Sequence, residues 1–302
     1  MKNSNKRYNF CLIGVAGYVA KKHLFSIKKL KHRLLLSYDP NDNVGILDSY
    51  FPDSLFFSNF SAFKKNFNKL KKKINYTVIT TPNYLHFKYI KFALSNGSNV
   101  ICEKPLVISL QQLNEIERLE HKYKRNVYTI MQLRTLNAVR QLKNKLKKNK
   151  HKIKNHNISI DYLTPRGQWY EQSWKGNEKK SGGIIFNIGI HLIDLLCYLF
   201  GNFTKVKIFK SDKKSVKGSV SFNHAKALFR LSIDKQKLKK LKTSKSVIRD
   251  FIINNKKIDL AKNFDKAHID CYSQILASKK NIFSIKNVKE SLKVVLDLKK
   301  QL

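Results

Sequence analysis

Two groups of residues in this chain have types and spacings suited to chemistry. In the first half, short apolar runs end in turns that carry glycine or polar side chains. One is Gly14-Val15-Ala16-Gly17-Tyr18-Val19-Ala20. Glycines in a strand-to-helix turn let an anion rest on backbone N–H groups at the helix start, where the dipole favours negative charge. Gly17 and Ala20 have the spacing of the second and third glycines of a dinucleotide fingerprint, with Gly14 one residue early. Asp39 follows Gly17 close to the offset of about 20 residues at which an acid meets the adenosine ribose. Pro40 rather than Arg comes next, which favours NAD over NADP; an ordinary turn residue in Asp-Pro-Asn-Asp is the plain alternative for Asp39. Two further strand ends read Thr81-Pro82-Asn83-x-x-His86 and Glu103-Lys104-Pro105. A lysine at the end of an apolar strand is costly to desolvate unless it has a partner or a task. With 52 lysines in the chain an ordinary surface amine is the bland alternative for Lys104, against which the pairing with the Thr-Pro-Asn turn weighs.

The second group lies in the other half. Ser181-Gly182-Gly183 leads into Asn187-x-x-x-His191-x-x-Asp194, and on an α-helix positions 187, 191 and 194 share one face. An imidazole and an amide on an otherwise apolar helix suit general-base work on a hydroxyl, while a buried, satisfied histidine is the alternative. No third ligand or HxxEH spacing accompanies them, so no metal is expected. Arg166-Gly167-Gln168-Trp169-Tyr170 and Ser173-Trp174-Lys175-Gly176 gather both tryptophans beside cations, a set able to bind a sugar ring and phosphates or to pack as an aromatic loop.

The elements that must position these residues follow a clear alternation. Strands are expected at Phe10–Ile13, Leu34–Tyr38, Tyr76–Thr80, Asn99–Cys102 and Val127–Leu133. Helices are expected from Gly14 to near Leu30, over Lys64–Lys73, from Tyr84 to Ser95 with a left-handed cap at Asn96-Gly97, and from a Ser109/Gln112 capping box to Lys124. Such alternation means a parallel sheet covered on both faces, with ligands at the carboxyl ends of its strands, where Gly14, Asp39, Thr81-Pro82-Asn83 and Glu103-Lys104-Pro105 define one site. After a Lys-rich helix over 136–150, strands are expected at Ile158–Leu163, Lys205–Lys210, Val216–Phe222, Ala225–Ile233 and Val247–Asn254. The 225–234 stretch alternates apolar and polar residues, as in a sheet with one face buried. The change of pattern places the boundary between residues 1–133 and 134–302.

Composition bounds the partners. The 302 residues are 42% hydrophobic with a formal charge of +41, too apolar for a disordered tail. Only nine of the 61 basic residues are arginine, the residue a nucleic-acid surface recruits for bidentate contacts. The lysine excess, scattered from end to end with frequent Asn and Ile, fits codon bias in an AT-rich genome better than a patterned basic surface. Cys11, Cys102, Cys197 and Cys271 form no CxxC pair and read as reduced core residues of a cytoplasmic protein. MKNSNKRYNF has no apolar stretch resembling a signal peptide, and Ile184–Phe200 falls short of the roughly 20 apolar residues of a membrane span.

Taken together, the glycine turn, the Thr-Pro-Asn-x-x-His strand end, Glu-Lys-Pro and the Gly-Gly…His-x-x-Asp segment resemble the Gfo/Idh/MocA oxidoreductase family. Within it the chain is similar to the bacterial subgroup acting on UDP-N-acetyl-D-glucosaminuronate in O-antigen sugar biosynthesis. Gly14–Ala20 with His23, Tyr38-Asp39-Pro40-Asn41-Asp42, the run 44–53, Arg166–Tyr170, Ser173–Gly176 and Ser181–His191 carry that likeness, with Asn187 where many relatives have Asp.

The resemblance implies an α/β N-terminal Rossmann domain and an α+β C-terminal domain with a large, mostly antiparallel open sheet. It implies oxidation of a sugar C3 hydroxyl with hydride passing to NAD. On that likeness Gly14, Gly17, Tyr18, Val19, Asp39, Thr81, Pro82, Asn83, His86, Glu103 and Lys104 face the cofactor. Lys104 lies near the nicotinamide and the reacting hydroxyl, His191 is the base, and Asn187 positions the sugar. Arg166, Tyr170, Trp174 and Lys175 face the uronate or diphosphate. A homo-oligomer is implied, a tetramer through the open sheet face, with no nucleic acid or membrane as partner. Two departures stand out: Thr135-Leu136-Asn137 follows Arg134 where the subgroup reads Leu-His-Pro, and the 231–246 region is Lys-rich and atypical. The rival expectations are a dehydrogenase of another sugar or polyol and, more remotely, a lysine-rich nucleic-acid binder on a vestigial oxidoreductase fold.

Overall fold

A computed structural model of the chain describes residues 6–148, 155–239, 245–277 and 281–302. They divide into two compact units. The first comprises residues up to 107, 111–130 and 268–285; the second comprises 108–110, 131–267 and 286–302. The stretch 268–285, far along the chain, thus packs with the first unit.

The first unit carries β1 (Asn9–Ile13), α1 (Ala20–Lys29), β2 (Arg33–Tyr38), α2 (Ile46–Tyr50), β3 (Leu55–Phe57), α3 (Phe60–Leu70), β4 (Tyr76–Ile79), α4 (His86–Ser95), β5 (Asn99–Cys102), α5 (Leu110–Tyr123) and β6 (Val127–Thr129). Its six strands are all parallel, in the order β3-β2-β1-β4-β5-β6, the doubly wound order of a Rossmann fold. Every residue of β4 is buried, as are all but the first of β1 and β5, so both sheet faces are covered. The helix after β4 stops where glycine permits the turn, with Gly97 at φ +80°. An aromatic cluster holds α3 on the sheet: the Tyr38 ring lies 5.1 Å from Phe60 and 5.4 Å from Phe63.

Two expectations shift here. The 44–53 run folds as α2, followed by the edge strand β3, neither of which apolar periodicity revealed. The strand expected to reach Leu133 ends at Thr129, and Gln132–Thr135 turn as a short 3₁₀ helix whose side chains are buried. Arg134 supplies the reason, because its guanidinium is drawn into a buried ion pair described below.

Glu120, on α5, accepts the Val127 N–H. Burial pushes its carboxyl up from the ordinary 4.5 to about 7, against that hydrogen bond and with help from Glu117. A folded-state acid pKa raised in this way lowers stability progressively as pH rises from the unfolded value towards 7. Glu120→Gln is therefore expected to melt at a higher temperature than the parent at about pH 8 and at the same temperature at about pH 4. Parallel thermal melts at the two pH values check this.

The second unit holds α6 (Asn137–Lys148), β7 (His156–Leu163), α7 (Gln168–Gln172), α8 (Glu178–Ser181), α9 (Ile190–Phe200), β8 (Phe203–Asp212), β9 (Ser215–Phe222), β10 (Ala225–Ser232), α10 (Lys235–Lys239), β11 (Ile248–Ile253) and β12 (Lys256–Lys257). Beyond them lie α11 (Ala267–Ala277), which from His268 onward belongs to the first unit, and α12 (Ile285–Lys299). The sheet runs β12-β11-β7-β10-β9-β8, antiparallel except for the β7–β10 pair. Along β10 Ala225, Ala227, Phe229 and Leu231 are buried while Lys226 and Leu228 are exposed, the alternation expected of a one-sided sheet. On the outward face Arg230 pairs bidentately with Asp161 directly opposite, at 2.8 and 2.9 Å.

The expected end of the Lys-rich helix at Lys150 and part of the atypical 231–246 region lie outside the described residues. All four cysteines are buried free thiols. Contrary to the expectation for Ile184–Phe200, residues 178–200 are long and apolar enough to cross a membrane by length and composition alone, and 72% of an 18-residue window within them is buried inside the protein.

Candidate active site

At the carboxyl edge of the parallel sheet, β1 runs into Gly14, whose φ of +97° is a left-handed conformation. A Cβ there would lie 2.8 Å from Thr80 C and Thr81 N, so the turn passes against the backbone leaving β4. Thr80 Oγ1 ties the same crossing by donating to the Gly14 carbonyl at 2.8 Å. Gly14→Ala is expected to cost about 1–3 kcal/mol of stability for the strained backbone and to weaken dinucleotide binding at least about tenfold. Urea unfolding and NAD titration measure the two effects.

The turn delivers the start of α1 without a side-chain cap and without an acid in the first turn. This leaves the positive end of a ten-residue helix suited to an anion, beside Gly17, Tyr18 and Val19. Tyr18 is 94% exposed. Asp39 stands buried at the end of β2, its Oδ2 accepting the Ala16 N–H at 3.0 Å and its Oδ1 the Asn41 N–H at 2.9 Å. Both the turn role and the acid-beside-glycine-turn geometry are thus present in one residue.

The neighbouring strand ends meet the same edge. His86, at the head of α4, spans the carbonyls of Thr81 and Pro105, each 2.8 Å from a ring nitrogen. Burial pushes its pKa down, opposed by those carbonyls. Its ring braces the Thr81-Pro82-Asn83 turn against Glu103-Lys104-Pro105, so His86 lies behind these turns. Thr81 Oγ1 is a buried hydroxyl oxygen with no partner among the described residues, and Asn83 is buried beside it in sequence. An uncapped helix start, a carboxylate held at the glycine turn and an orphaned hydroxyl along one edge fit a dinucleotide. Lys104 is half-buried, and its backbone N–H donates to Glu103 Oε2 at 3.2 Å. Glu103 is 7% exposed and bonded on its other oxygen to His23, also fully buried, so its carboxylate is committed inward.

In the second unit Asn187 donates from Nδ2 to Tyr170 Oη at 2.9 Å and to the Lys175 carbonyl at 3.3 Å. Lys175 Nζ lies 5.1 Å from the Trp169 ring centre and 5.7 Å from that of Trp174. Burial, with the Arg166 charge, pushes the Lys175 pKa down. Burial pushes Tyr170 up, against the Asn187 hydrogen bond and Arg166. Arg166, Tyr170, Trp174, Lys175 and Asn187 are thus one cationic, aromatic-walled cluster, to which Trp169 also belongs.

The helix bearing His191 corrects one expectation. Ile185–Gly189 form a π-helical turn, and α9 begins only at Ile190. The wider π turn breaks the i, i+4 relation that would stack Asn187 under His191 on one α-helical face. Gly182 and Gly183, at φ +85° and +83°, open the segment, and Gly189 lets it approach β10, where a Cβ would fall 2.8 Å from Leu231 Cδ1. His191 is half-buried in the first turn of α9, whereas Asp194 is 1% exposed and turned inward. Arg134, itself 1% exposed, donates Nε to Asp194 Oδ2 at 2.8 Å and Nη2 to Oδ1 and to the Asn287 carbonyl. Ser291 Oγ adds a bond to Asp194 Oδ1 at 2.7 Å. Asp194 is therefore structural.

Comparison with known proteins gives the family of this fold. A profile of the oxidoreductase family with NAD-binding Rossmann fold matches residues 8–131, and one of the GFO/IDH/MocA C-terminal domain matches residues 154–232. The WlbA (WbpB) dehydrogenase of Thermus thermophilus, solved with NAD and α-ketoglutarate, is 33% identical with a TM-score of 0.90 over 98% of this chain and 96% of that one. The chain belongs to the Gfo/Idh/MocA oxidoreductase family. Its first domain is that family's NAD-binding Rossmann domain, and NAD is its cofactor. The same Thermus protein solved with NAD and UDP-GlcNAcA gives a TM-score of 0.89 at 33% identity over 97% of this chain and 94% of that one. Curated relatives match over shorter stretches. Glucose-6-phosphate 3-dehydrogenase of Bacillus subtilis is 26% identical over 61% of this chain and 52% of its own length. An uncharacterized oxidoreductase of Streptococcus pneumoniae is 32% identical over 43% of this chain and 35% of its own. The matched part thus spans about a third to a half of these curated relatives' length.

His268 and Tyr272 beside His23 and Glu103 are the participants that sequence reasoning passed over. Their i, i+4 spacing on α11 was the available clue, since it sets an imidazole and a phenol on one helix face.

Proposed function

We propose that this protein oxidises the C3 hydroxyl of a UDP-N-acetylglucosaminuronate-type nucleotide sugar to the 3-keto sugar with NAD, in cytoplasmic synthesis of O-antigen or lipopolysaccharide sugars. The likeness to the Thermus WlbA dehydrogenase, at 33% identity over nearly the full length of both chains, carries this reading. The Arg166, Lys175 and tryptophan cluster supports it, because a nucleotide sugar brings a diphosphate, a uronate and flat rings.

NAD, when bound, would supply the hydride acceptor for C3. His191 takes the hydroxyl proton at a ring nitrogen, so the C3–O bond gains its second bond as the C–H and O–H bonds break. Lys104 Nζ donates to the C3 oxygen and stabilises the negative charge that grows there as the proton leaves. Asn187, oriented by its bonds to Tyr170 and the Lys175 carbonyl, holds the sugar. Arg166, Tyr170, Trp174 and Lys175 hold the uronate or diphosphate. Gly14, Gly17, Tyr18 and Val19 cradle the pyrophosphate and Asp39 takes the ribose; Thr81, Pro82 and Asn83 line the cofactor, with His86 and Glu103 holding their turns.

The second reading, a sugar-phosphate 3-dehydrogenase, draws on the Bacillus relative. NADH formation with UDP-GlcNAcA, glucose 6-phosphate and free polyols separates the two, run with and without α-ketoglutarate so that reoxidation on the protein does not hide turnover. Activity confined to glucose 6-phosphate would overturn the nucleotide-sugar reading. The open sheet face bearing exposed Leu228 is proposed to assemble a homo-oligomer, a tetramer, which sedimentation at micromolar concentration measures.

A further inference from the structure

Four polar side chains from distant parts of the chain form a buried cluster behind the Lys104 turn. His23 Nε2 lies 2.9 Å and His268 Nε2 3.3 Å from Glu103 Oε1, and Tyr272 Oη lies 2.8 Å from His23 Nδ1. Exposures are 0% for His23 and Tyr272, 3% for His268 and 7% for Glu103. The two imidazoles meet edge to face, 5.4 Å between centres. Burying a carboxylate is expensive, and the cost is offset only where each lone pair meets a donor.

Three donors converge on the two carboxylate oxygens, two of them on Oε1. Burial pushes the Glu103 carboxyl up, but the hydrogen bonds donated by His23 and His268 outweigh it and hold the group well below the usual range. An ionised carboxylate only accepts, so both imidazoles carry their proton on Nε2. His23 then accepts the Tyr272 O–H at Nδ1, as a neutral ring whose pKa burial pushes down. The remaining oxygen, Oε2, accepts the backbone N–H of Lys104. The chain of bonds thus ends on the peptide that launches the Lys104 side chain.

His268 and Tyr272 are brought in by α11. That segment is tied to the first unit's sheet where Thr129 N–H donates to the Phe283 carbonyl at 2.9 Å and Tyr128 bridges Ser284.

We propose that His23, His268 and Tyr272 are positioning residues that act through Glu103 to fix the Lys104 peptide and hence the reach of its amine. The proposal rests on the reading of Lys104 as a group that touches the reacting oxygen. The ligand atoms of His23, Glu103 and His268 lie within 4.8 Å of one another, close enough for a cation, so the test includes metal analysis.

Tyr272→Phe removes only a hydroxyl and Glu103→Gln preserves shape. Each is made alone and in a Lys104→Ala background, with single-turnover NAD reduction by UDP-GlcNAcA as the readout. Tyr272→Phe is expected to lower the rate about tenfold, with NAD affinity and melting temperature near the parent's, and Glu103→Gln, whose amide must turn its NH2 towards a donor, about 10²-fold with a lower melting temperature. In the Lys104→Ala background the same changes are expected to cost no further rate. Equal losses with and without Lys104 would overturn the positioning role while leaving Lys104 in place. An unchanged rate in Lys104→Ala alone would overturn the reading of Lys104 and the proposal with it. Stoichiometric zinc in the purified protein, lost in His23→Gln, would make the cluster a metal site instead.

Discussion

His191→Ala is expected to lower kcat on the nucleotide sugar by about 10²- to 10⁴-fold, the usual contribution of a positioned general base. The proton of a sugar hydroxyl must leave as the hydride leaves, and His191 is the imidazole of the π-to-α segment that carries Asn187. NAD affinity should stay within about twofold, since the helix start and Asp39 belong to the other unit. Added imidazole should restore part of the rate, more at high pH where the free base is abundant. Parent-like turnover in His191→Ala would remove it from the chemistry and leave Lys104 as the candidate base.

Arg134→Met is expected to destabilise the protein by about 3–5 kcal/mol, because it strips a buried carboxylate of its bidentate partner. Asp194 would keep Ser291 Oγ and lose both guanidinium contacts, and the Asn287 carbonyl would lose its donor. Arg134→Lys should recover only part of the loss, since an ammonium lacks the planar fork that meets both oxygens. The double variant Arg134→Met/Asp194→Leu should regain most of the stability, because no charge is then left buried. Urea midpoints of these proteins and of Asp194→Leu alone measure these costs; additive losses in the double variant would mean that the pair is not a unit.

The parallel half of the fold was legible because each strand is a short apolar run closed by a turn. Tyr76–Ile79 and Asn99–Cys102 are buried along their whole length or nearly so, and such runs betray themselves. The alternation along Ala225–Ser232 likewise reports a one-sided sheet. Edge strand β3 escaped notice because three residues, one of them exposed, carry too little periodicity. The π turn is not legible because a 3.6-residue period stacks Asn187 under His191, while Gly182, Gly183 and Gly189 permit a wider path. Asp194 looked like a member of the His191 face, since spacing cannot distinguish a carboxylate facing a cleft from one facing an arginine.

Local order in the chain determined where backbone turns fall and which side chains they present: glycine at a left-handed position, an acid after the second strand, lysine after a buried one. Those facts depend on neighbours a few residues apart, so the linear text contains them. Which charges meet was decided by tertiary structure alone. Arg134 finds Asp194, and Glu103 finds His23 and His268, across 60, 80 and 165 positions respectively. Burial makes these encounters decisive, because a charge withdrawn from water must be answered by whichever donor packing brings to it.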